Sequence, residues 1–195
     1  MKKWIIIGVI VLVAFMLYGF FSGSYNNMVT KNENVTRAWQ DVESDYQRRL
    51  DLIPNLVNTV KGYAEFEKST LTAVIEARAQ ATQVKVDPNN LTPEALQQFQ
   101  AAQGQLSSSL GRLLVTVERY PDLKANQNFL ELQAELAGTE NRIKVARNKF
   151  NETVQDYNTY VKTFPRNILA GMFGFTSKAY FEADAAASRA PEVQF

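Results

Sequence analysis

The sequence contains no cysteine and no histidine among its 195 residues. Their absence excludes disulfides, thiol nucleophiles, zinc sites built from these residues, and every catalytic scheme that needs an imidazole base. Metal binding through carboxylates alone stays possible. The lack of cysteine does not assign a redox compartment, because a chain without cysteine is stable in either one.

The chain also has no excess of charge of either sign. Lys and Arg number 21, Asp and Glu number 20, and the formal net charge is +1. A near-neutral chain with mixed charges offers no electrostatic footprint for nucleic acid, so we expect no nucleic-acid partner. A strand-like alternation and a βαβ pattern are also missing, which favours an all-α fold.

The longest apolar run extends from Trp4 to Phe21 and contains no charged residue. As a helix this run is about 27 Å long, close to the roughly 30 Å hydrocarbon core of a bilayer. Trp4 and Tyr18 are residues that favour the two membrane interfaces. We predict an uncleaved single-pass transmembrane anchor over residues 1–24.

The residues that flank this run bear on cleavage and on orientation. Lys2 and Lys3 precede it and small residues follow it at 22–24, so a cleaved signal peptide stays open as the alternative. Beyond the run, Lys31 and Arg37 are the only basic residues before position 40. The positive-inside rule then favours an internal N-terminus and an external domain.

Apolar residues follow the anchor at alternating intervals of four and three, as in the seam of a coiled coil. The pattern keeps its phase across Pro54 and predicts one very long first helix, over about residues 26–82, with a kink at Pro54. Two separate helices stay possible. The seam positions are Val35, Trp39, Val42, Tyr46, Leu50, Ile53, Val57, Val60, Ala64, Leu71 and Val74, with polar Glu67 and Arg78 at two further positions.

Two more helices complete the predicted bundle. The second begins after Thr92, a suitable N-cap, with Pro93 in its first position, and it ends at Pro121. The third extends from about residue 123 to residue 162. Because short turns between long helices make neighbours antiparallel, we predict an up-and-down bundle over residues 25–164.

The remaining residues, 165–195, differ in character from the helices. Phe164-Pro165 ends the third helix, and residues 168–175 read ILAGMFGF, which is apolar with two glycines. We predict a tail that packs on the bundle as a lid. A second membrane contact by residues 168–175, which are too few to span a bilayer, stays open as the alternative.

Several motifs give the chain a family resemblance. They are YNN at 25–27, RRLDLIPNLV at 48–57, VKGYA at 60–64, EAR at 76–78, TENRI at 139–143, AR at 146–147 and VQDYN at 154–158. With these motifs the chain resembles the LemA family of bacterial membrane proteins over nearly its whole length. The resemblance implies an anchor followed by an α-helical bundle. It implies no established catalytic residue and no agreed molecular role.

Candidate interaction residues surround Pro54. A proline inside a helix removes one backbone hydrogen bond and frees a carbonyl near Leu50, which an arginine or asparagine side chain or a partner can satisfy. Arg48, Arg49 and Asn55 are therefore candidate docking residues together with Pro54. The alternative is a solvated basic pair beside a structural kink.

Asparagine, a poor helix former, recurs in the first and third predicted helices. We predict that several of these side chains pair across helices and fix their register. The positions are Asn55, Asn58, Asn141, Asn148, Asn151 and Asn158.

The predicted helix lengths leave the membrane-proximal half of the first helix without a partner helix. Its seam nevertheless contains Trp39, Val42 and Tyr46. A long exposed apolar stripe is a usual mark of an interface, and parallel anchors hold neighbouring chains close together. The alternative is that the tail after Phe164 folds back to cover the stripe, for which it has to travel from the far end of the bundle. We therefore predict a homo-oligomer with contacts at these three residues.

These observations favour a non-enzymatic scaffold or interaction protein of the bacterial cell envelope, without cofactor or metal. We expect it in the cytoplasmic (inner) membrane. The alternative is a signalling or membrane-stress adaptor that presents the bundle to another membrane protein.

Overall fold

The computed structural model describes residues 2–63 and 67–182 of the chain. These residues form six helices and no strand. The helices are α1 (Lys2–Lys61), α2 (Lys68–Gln83), α3 (Pro93–Val117), α4 (Pro121–Lys124), α5 (Gln127–Lys162) and α6 (Arg166–Phe173). Two sequence-based predictions, the seam position Ala64 and the tail beyond Glu182, lie outside the described residues.

Helix α1 joins the predicted anchor to the bundle without a break. It is 60 residues long, which corresponds to about 90 Å at 1.5 Å per residue. The apolar residues of its first five turns are all exposed, and it is long and apolar enough to cross a membrane. The helix continues through residues 22–24, and Ser24 is buried against the bundle.

The predicted first helix over residues 26–82 is wrong at both ends. The helix starts in the anchor and ends at Lys61, and the chain reverses before α2 begins at Lys68. Gly62, a poor helix former, directly follows the last helical residue. The apolar period continues past the break because α2 is itself amphipathic, burying Leu71 and Val74. The break between the two helices therefore lies after Lys61 and not at Pro54.

Pro54 lies inside α1, and the carbonyl that it frees has a partner. Because proline has no amide hydrogen, the carbonyl of Leu50, four residues earlier, loses its helical donor. The Nε atom of Arg78 donates to this carbonyl at 2.9 Å. The donor is thus an arginine of α2 and not one of the candidates beside Pro54, Arg48, Arg49 or Asn55, and the hydrogen bond ties α2 to α1.

The helices form the predicted antiparallel up-and-down bundle, with four long members instead of three. Helix α1 packs most extensively on α5, and α2 packs on α3. The start of α3 is as predicted, since the Thr92 hydroxyl accepts from the amide of Ala95 at 3.2 Å and Pro93 is the first helical residue. Helices α2 and α3 cover the part of α1 that lies far from the anchor.

The apolar stripe on α1 is buried within the chain, so its interpretation as an exposed interface is wrong. Trp39, Val42 and Tyr46 are all in the core. The rings of Phe99, Phe150 and Phe181 surround Trp39, with centroid distances of 5.3, 5.6 and 5.9 Å. These partners come from α3, α5 and the tail, so helix α5 and the returning tail cover the half of α1 that the predicted lengths left bare.

After α6 the tail turns back and follows α5 in an extended conformation. Asn158 donates to the carbonyl of Lys178 at 2.8 Å and accepts from its amide at 2.9 Å. Asn151 makes the same pair of bonds with Phe181, at 3.0 and 2.9 Å. We call each of these pairs of hydrogen bonds a clamp. Asn151 and Asn158 are seven residues apart on a helix, and Lys178 and Phe181 are three residues apart in extended chain. Both separations correspond to about 10 Å, so the two clamps match in spacing.

This arrangement corrects the prediction for two of the asparagines. Asn151 and Asn158 do not pair with another helix, because their amide groups bind the backbone of the tail. The other four, Asn55, Asn58, Asn141 and Asn148, are exposed.

The tail also binds the connection between α2 and α3. The amide of Ala179 donates to the carbonyl of Leu91 at 3.2 Å, and Lys178 Nζ donates to the carbonyl of Pro88 at 3.0 Å. Burial lowers the pKa of Lys178 below its ordinary value, against the opposing charges of Asp87 and Glu33. The tail thus joins α5 to this connection across α1.

We predict that the effects of Arg78→Leu and Pro54→Ala on stability are coupled. Alone, Arg78→Leu leaves the Leu50 carbonyl unpaired and lowers the free energy of unfolding by about 1–3 kcal/mol. Pro54→Ala restores the amide donor and raises stability. When Pro54→Ala is already present, Arg78→Leu then costs much less, as urea denaturation followed by circular dichroism can measure. Equal costs with and without Pro54→Ala would show that the Arg78 bond does not serve this carbonyl.

We predict that Asn151→Ala detaches the tail from Trp39. The substitution removes two hydrogen bonds to the backbone of Phe181 and should lower the free energy of unfolding by about 1 kcal/mol or more. With Trp4→Phe as the background, Trp39 is the sole tryptophan, and its emission should move to longer wavelength and become accessible to acrylamide. Asn148→Ala, an exposed position on the same helix, is the matched control. Unchanged emission in Asn151→Ala would contradict the clamp.

Candidate functional site

Arg49 forms a polar layer between two apolar parts of the core. One apolar cluster contains the stripe around Trp39, and the other contains Ile53 and Leu56 of the next turns. The guanidinium binds α3 through the Oε1 atom of Gln103 at 2.6 Å and the hydroxyl of Ser107 at 2.9 Å. Arg49 therefore joins helix α1 to its neighbours at one fixed height.

The same guanidinium also reaches α5. Its Nη1 atom lies 2.8 Å from Oε2 of Glu140, and the arginine side chain is 3% exposed whereas that of Glu140 is 59% exposed. The Nε atom has no hydrogen-bond partner among the described residues. The charge is thus buried with one carboxylate that water still reaches, a geometry that favours fixing register over contributing net stability.

Tyr46 lies one turn before Arg49 on the same side of α1. The Arg49 guanidinium carbon is 5.0 Å from the centre of its ring. Burial raises the pKa of Tyr46 above its ordinary value, while the charges of Arg147 and Arg49 act in the opposite direction. A cavity of about 240 Å³ adjoins these groups. Both Nη atoms of Arg49 already donate to protein acceptors, so the arginine that lines this cavity serves to hold the helices together.

The predicted interaction residues separate into two groups. Trp39, Val42, Tyr46 and Arg49 are buried and serve the core, so they are not a surface. Arg48 and Asn55 are exposed, and Pro54 is half-buried. The structure does not join the second group into one site, because it forms no common pocket among the described residues.

A different face of α1 is open to solvent. A shallow groove of about 380 Å³ lies between α1 and α5, with an apolar floor that includes Ala38, Val145 and Ala146. It continues toward the anchor as a second depression of about 440 Å³. Charged residues line both edges. They are Arg37, Asp41 and Asp45 on α1, and Arg142, Lys149, Glu152 and Asp156 on α5.

Sequence reasoning missed the residues of this face and part of the polar layer. Gln103 occupies an apolar position of the α3 seam, and that exception was a usable signal for a buried polar contact. Asp41 and Lys149 gave no such signal, because charged residues on the outer face of a helix are ordinary. Among residues 2–63 and 67–182, no group of three or more acidic side chains is placed to hold a metal ion.

Comparisons with known proteins agree on one family. A family model described as the LemA family matches residues 38–195. The chain is 24% identical over 182 residues to Protein LemA of Metamycoplasma hominis, and the alignment covers 93% of this chain and 80% of that protein.

Two further relatives are named magnetosome proteins. The chain is 27% identical over 177 residues to Magnetosome protein MamQ 2 of Paramagnetospirillum magneticum, covering 81% of this chain and 64% of that protein. It is 28% identical over 192 residues to Magnetosome protein MamQ of Magnetospirillum gryphiswaldense, covering 90% and 70%. The chain thus spans slightly less than two thirds of the length of MamQ 2.

We predict that the cost of removing Gln103 depends on Arg49. Gln103→Leu deprives a buried charge of its shortest hydrogen bond and should lower the free energy of unfolding by about 2–3 kcal/mol. The double variant Arg49→Met, Gln103→Leu replaces both polar groups by apolar ones of similar size, which is often nearly neutral. Urea denaturation of the full chain in detergent measures both.

Arg48→Met is the matched control for this cycle, because Arg48 is the exposed neighbour on the same helix and the same charge is removed. We expect almost no change in stability for it. If the double variant is as unstable as Gln103→Leu alone, the cost of Gln103→Leu does not come from leaving the buried charge of Arg49 without its hydrogen bond.

Proposed function

The chain belongs to the LemA family, and we propose that it is a non-enzymatic scaffold of the bacterial cell envelope that assembles through the α1–α5 face. The association with the membrane is through the single apolar N-terminal helix. We place the bundle on the external side of the cytoplasmic membrane, which Lys2 and Lys3 favour under the positive-inside rule.

A role without catalysis is supported by what the polar core residues do. Arg49, Asn151 and Asn158 are buried or half-buried, and each is bonded to another element of the same chain. The sequence supplies neither histidine nor cysteine as a base or nucleophile. The polar groups of the core therefore hold helices and tail in place, and where Arg49 lines a cavity its Nη atoms are already bonded to protein acceptors.

The charge order along the α1–α5 groove is the observation that carries the proposal. Moving away from the anchor, the α1 edge reads Arg37, Asp41 and Asp45, which is positive and then negative. In the same direction the α5 edge reads Glu152, Lys149 and Arg142, which is negative and then positive. The ion pairs Asp45–Arg142 and Lys31–Asp156 set the register of the two helices, in which Lys149 lies about 4.5 Å nearer the anchor than Asp41 and Glu152 about 3 Å nearer than Arg37. Asp45 and Arg142 already pair across the groove, with Oδ1 and Nε 3.7 Å apart.

This order makes the face complementary to a second copy of itself. A twofold axis parallel to the helices places the α1 edge of each chain against the α5 edge of the other at the same height. Asp45 of each chain then faces Arg142 of the other at the same height, and Asp41 and Arg37 lie within one helical turn of Lys149 and Glu152 of the other chain. Such an axis also keeps both anchors in the same bilayer, where their high effective concentration favours pairing. The small residues Ala38 and Ala146 allow close approach of the two helix pairs.

We predict that Asp41→Lys weakens self-association about tenfold, because each substitution places like charges together twice in a symmetric dimer. The added substitution Lys149→Asp should restore it, since the edges are then complementary again. Sedimentation of the full chain in detergent at several concentrations measures both. Glu43→Lys makes the same charge change at an exposed position of α1 outside the groove and is the control.

Two results would contradict self-assembly through this face. One is a chain that stays monomeric at every concentration, and the other is a dimer that responds equally to Asp41→Lys and Glu43→Lys. A monomer whose crosslinks to another membrane protein disappear in Asp41→Lys would instead favour the adaptor function.

A further inference from the structure

Helix α6 lies at the end of the bundle that is nearest the anchor. The ring of Tyr25 contacts Phe173 and Phe175, with centroid distances of 5.0 and 5.9 Å. Tyr25 is four residues beyond Phe21, the last residue of the apolar run, which corresponds to about 6 Å along α1. Helix α6 is therefore held at the height where α1 leaves the hydrocarbon core.

The two faces of α6 have different surroundings. Leu169 and Ala170 are buried and fix the helix to the bundle, whereas Ile168 and Met172 are exposed. The exposed pair is four residues apart and shares one face. Phe164 just before the helix and Phe173 at its end are exposed as well. Four large apolar side chains are thus exposed together beside the anchor. Single exposed apolar residues scattered over a surface are ordinary, whereas a cluster of them marks a contact site.

The conformation of the chain on either side keeps α6 in this place. Gly174 ends the helix with a left-handed φ of 77°, and the amide of Phe175 donates to the carbonyl of Ala170 at 2.9 Å. This is the geometry of a helix C-cap that requires glycine. The tail then returns along α5 under the clamps at Asn158 and Asn151, so the position of α6 is fixed from both ends.

The charged residues that neighbour α6 in the sequence, Lys162, Arg166 and Lys178, are all positive. No acidic residue precedes Glu33 in the sequence, and none occurs between Asp156 and Glu182. Lys162 and Arg166 flank the start of α6, and the Arg166 guanidinium carbon lies 4.4 Å from the centre of the Tyr160 ring. An apolar face with basic neighbours is the pattern of helices that lie in the interface of anionic bilayers.

We propose that the exposed face of α6 is a second membrane contact, seated in the headgroup region of the same anionic bilayer that holds the anchor. The occupant is lipid because this face is continuous with the anchor and lies at the depth of its end. Its eight residues are about 12 Å long and cannot span the bilayer. This inference depends on the anchor and is independent of self-association through the α1–α5 face.

The absence of native cysteine allows a direct test. Met172→Cys and Val115→Cys each place one cysteine for a solvent-sensitive fluorophore, and the two native side chains are similarly exposed, at 70% and 73%. The full chain is reconstituted into phosphatidylglycerol vesicles with or without nitroxide groups on the upper acyl chain. We expect blue-shifted emission and several-fold stronger nitroxide quenching at position 172, because Val115 lies at the end of α3 far from the anchor.

A second variant separates lipid contact from other causes. Ile168→Asp adds a charge to the exposed face without touching the core, and it should return the emission of a label at 172 toward that of the label at 115. Circular dichroism checks that the bundle is folded. Equal quenching at 172 and 115, or no response to Ile168→Asp, would overturn the proposal. A label at 172 that is shielded from water but not quenched by nitroxide lipid would assign the face to a protein partner and overturn it as well.

Discussion

A single helix, α1, has to satisfy two solvents at once. In lipid its backbone can hydrogen-bond only to itself, so the apolar run must be helical, and that helix continues unbroken into the bundle. The rest of the fold is arranged around this rod. A lone spanning helix has no neighbour to supply a donor for a carbonyl freed by proline. Pro54 lies on the aqueous side, where Arg78 of another helix supplies that donor.

The buried polar groups lie at places where apolar packing alone does not fix the relative position of two helices or of the tail. Two long helices with apolar seams can slide by one turn at small cost, and Arg49 opposes this because its acceptors on α3 and α5 are at one height. The tail has no helical period to fix it, and Asn151 and Asn158 supply the missing specificity through backbone bonds. Polar contacts here provide register and uniqueness, while apolar burial provides most of the stability.

Local features of the fold could be predicted from the sequence, and long-range ones could not. The apolar N-terminal helix, the cap at Thr92 and the apolar seams depend on neighbouring residues, and the structure contains each of them. The end of α1 at Lys61 was missed because α2 repeats the same apolar spacing. The burial of Trp39 was missed because one of its partners, Phe181, lies in a tail whose sequence has no period. The positions at which the chain reverses direction determine which element packs on a seam. The apolar periodicity of a helix carries no information about those positions.

The same reversals determine where an interaction surface remains. Once α5, α3 and the tail cover the seam of α1, the groove beside α5, with Asp41 exposed on its edge, is a surface of the bundle that stays open to solvent. This face runs along the rod, so it points sideways in the plane of the membrane and not away from it. A contact of α6 with the bilayer would add a second attachment point and restrict rotation about α1. A surface with a fixed lateral direction favours association between neighbours in one membrane over binding of partners that arrive from the aqueous phase.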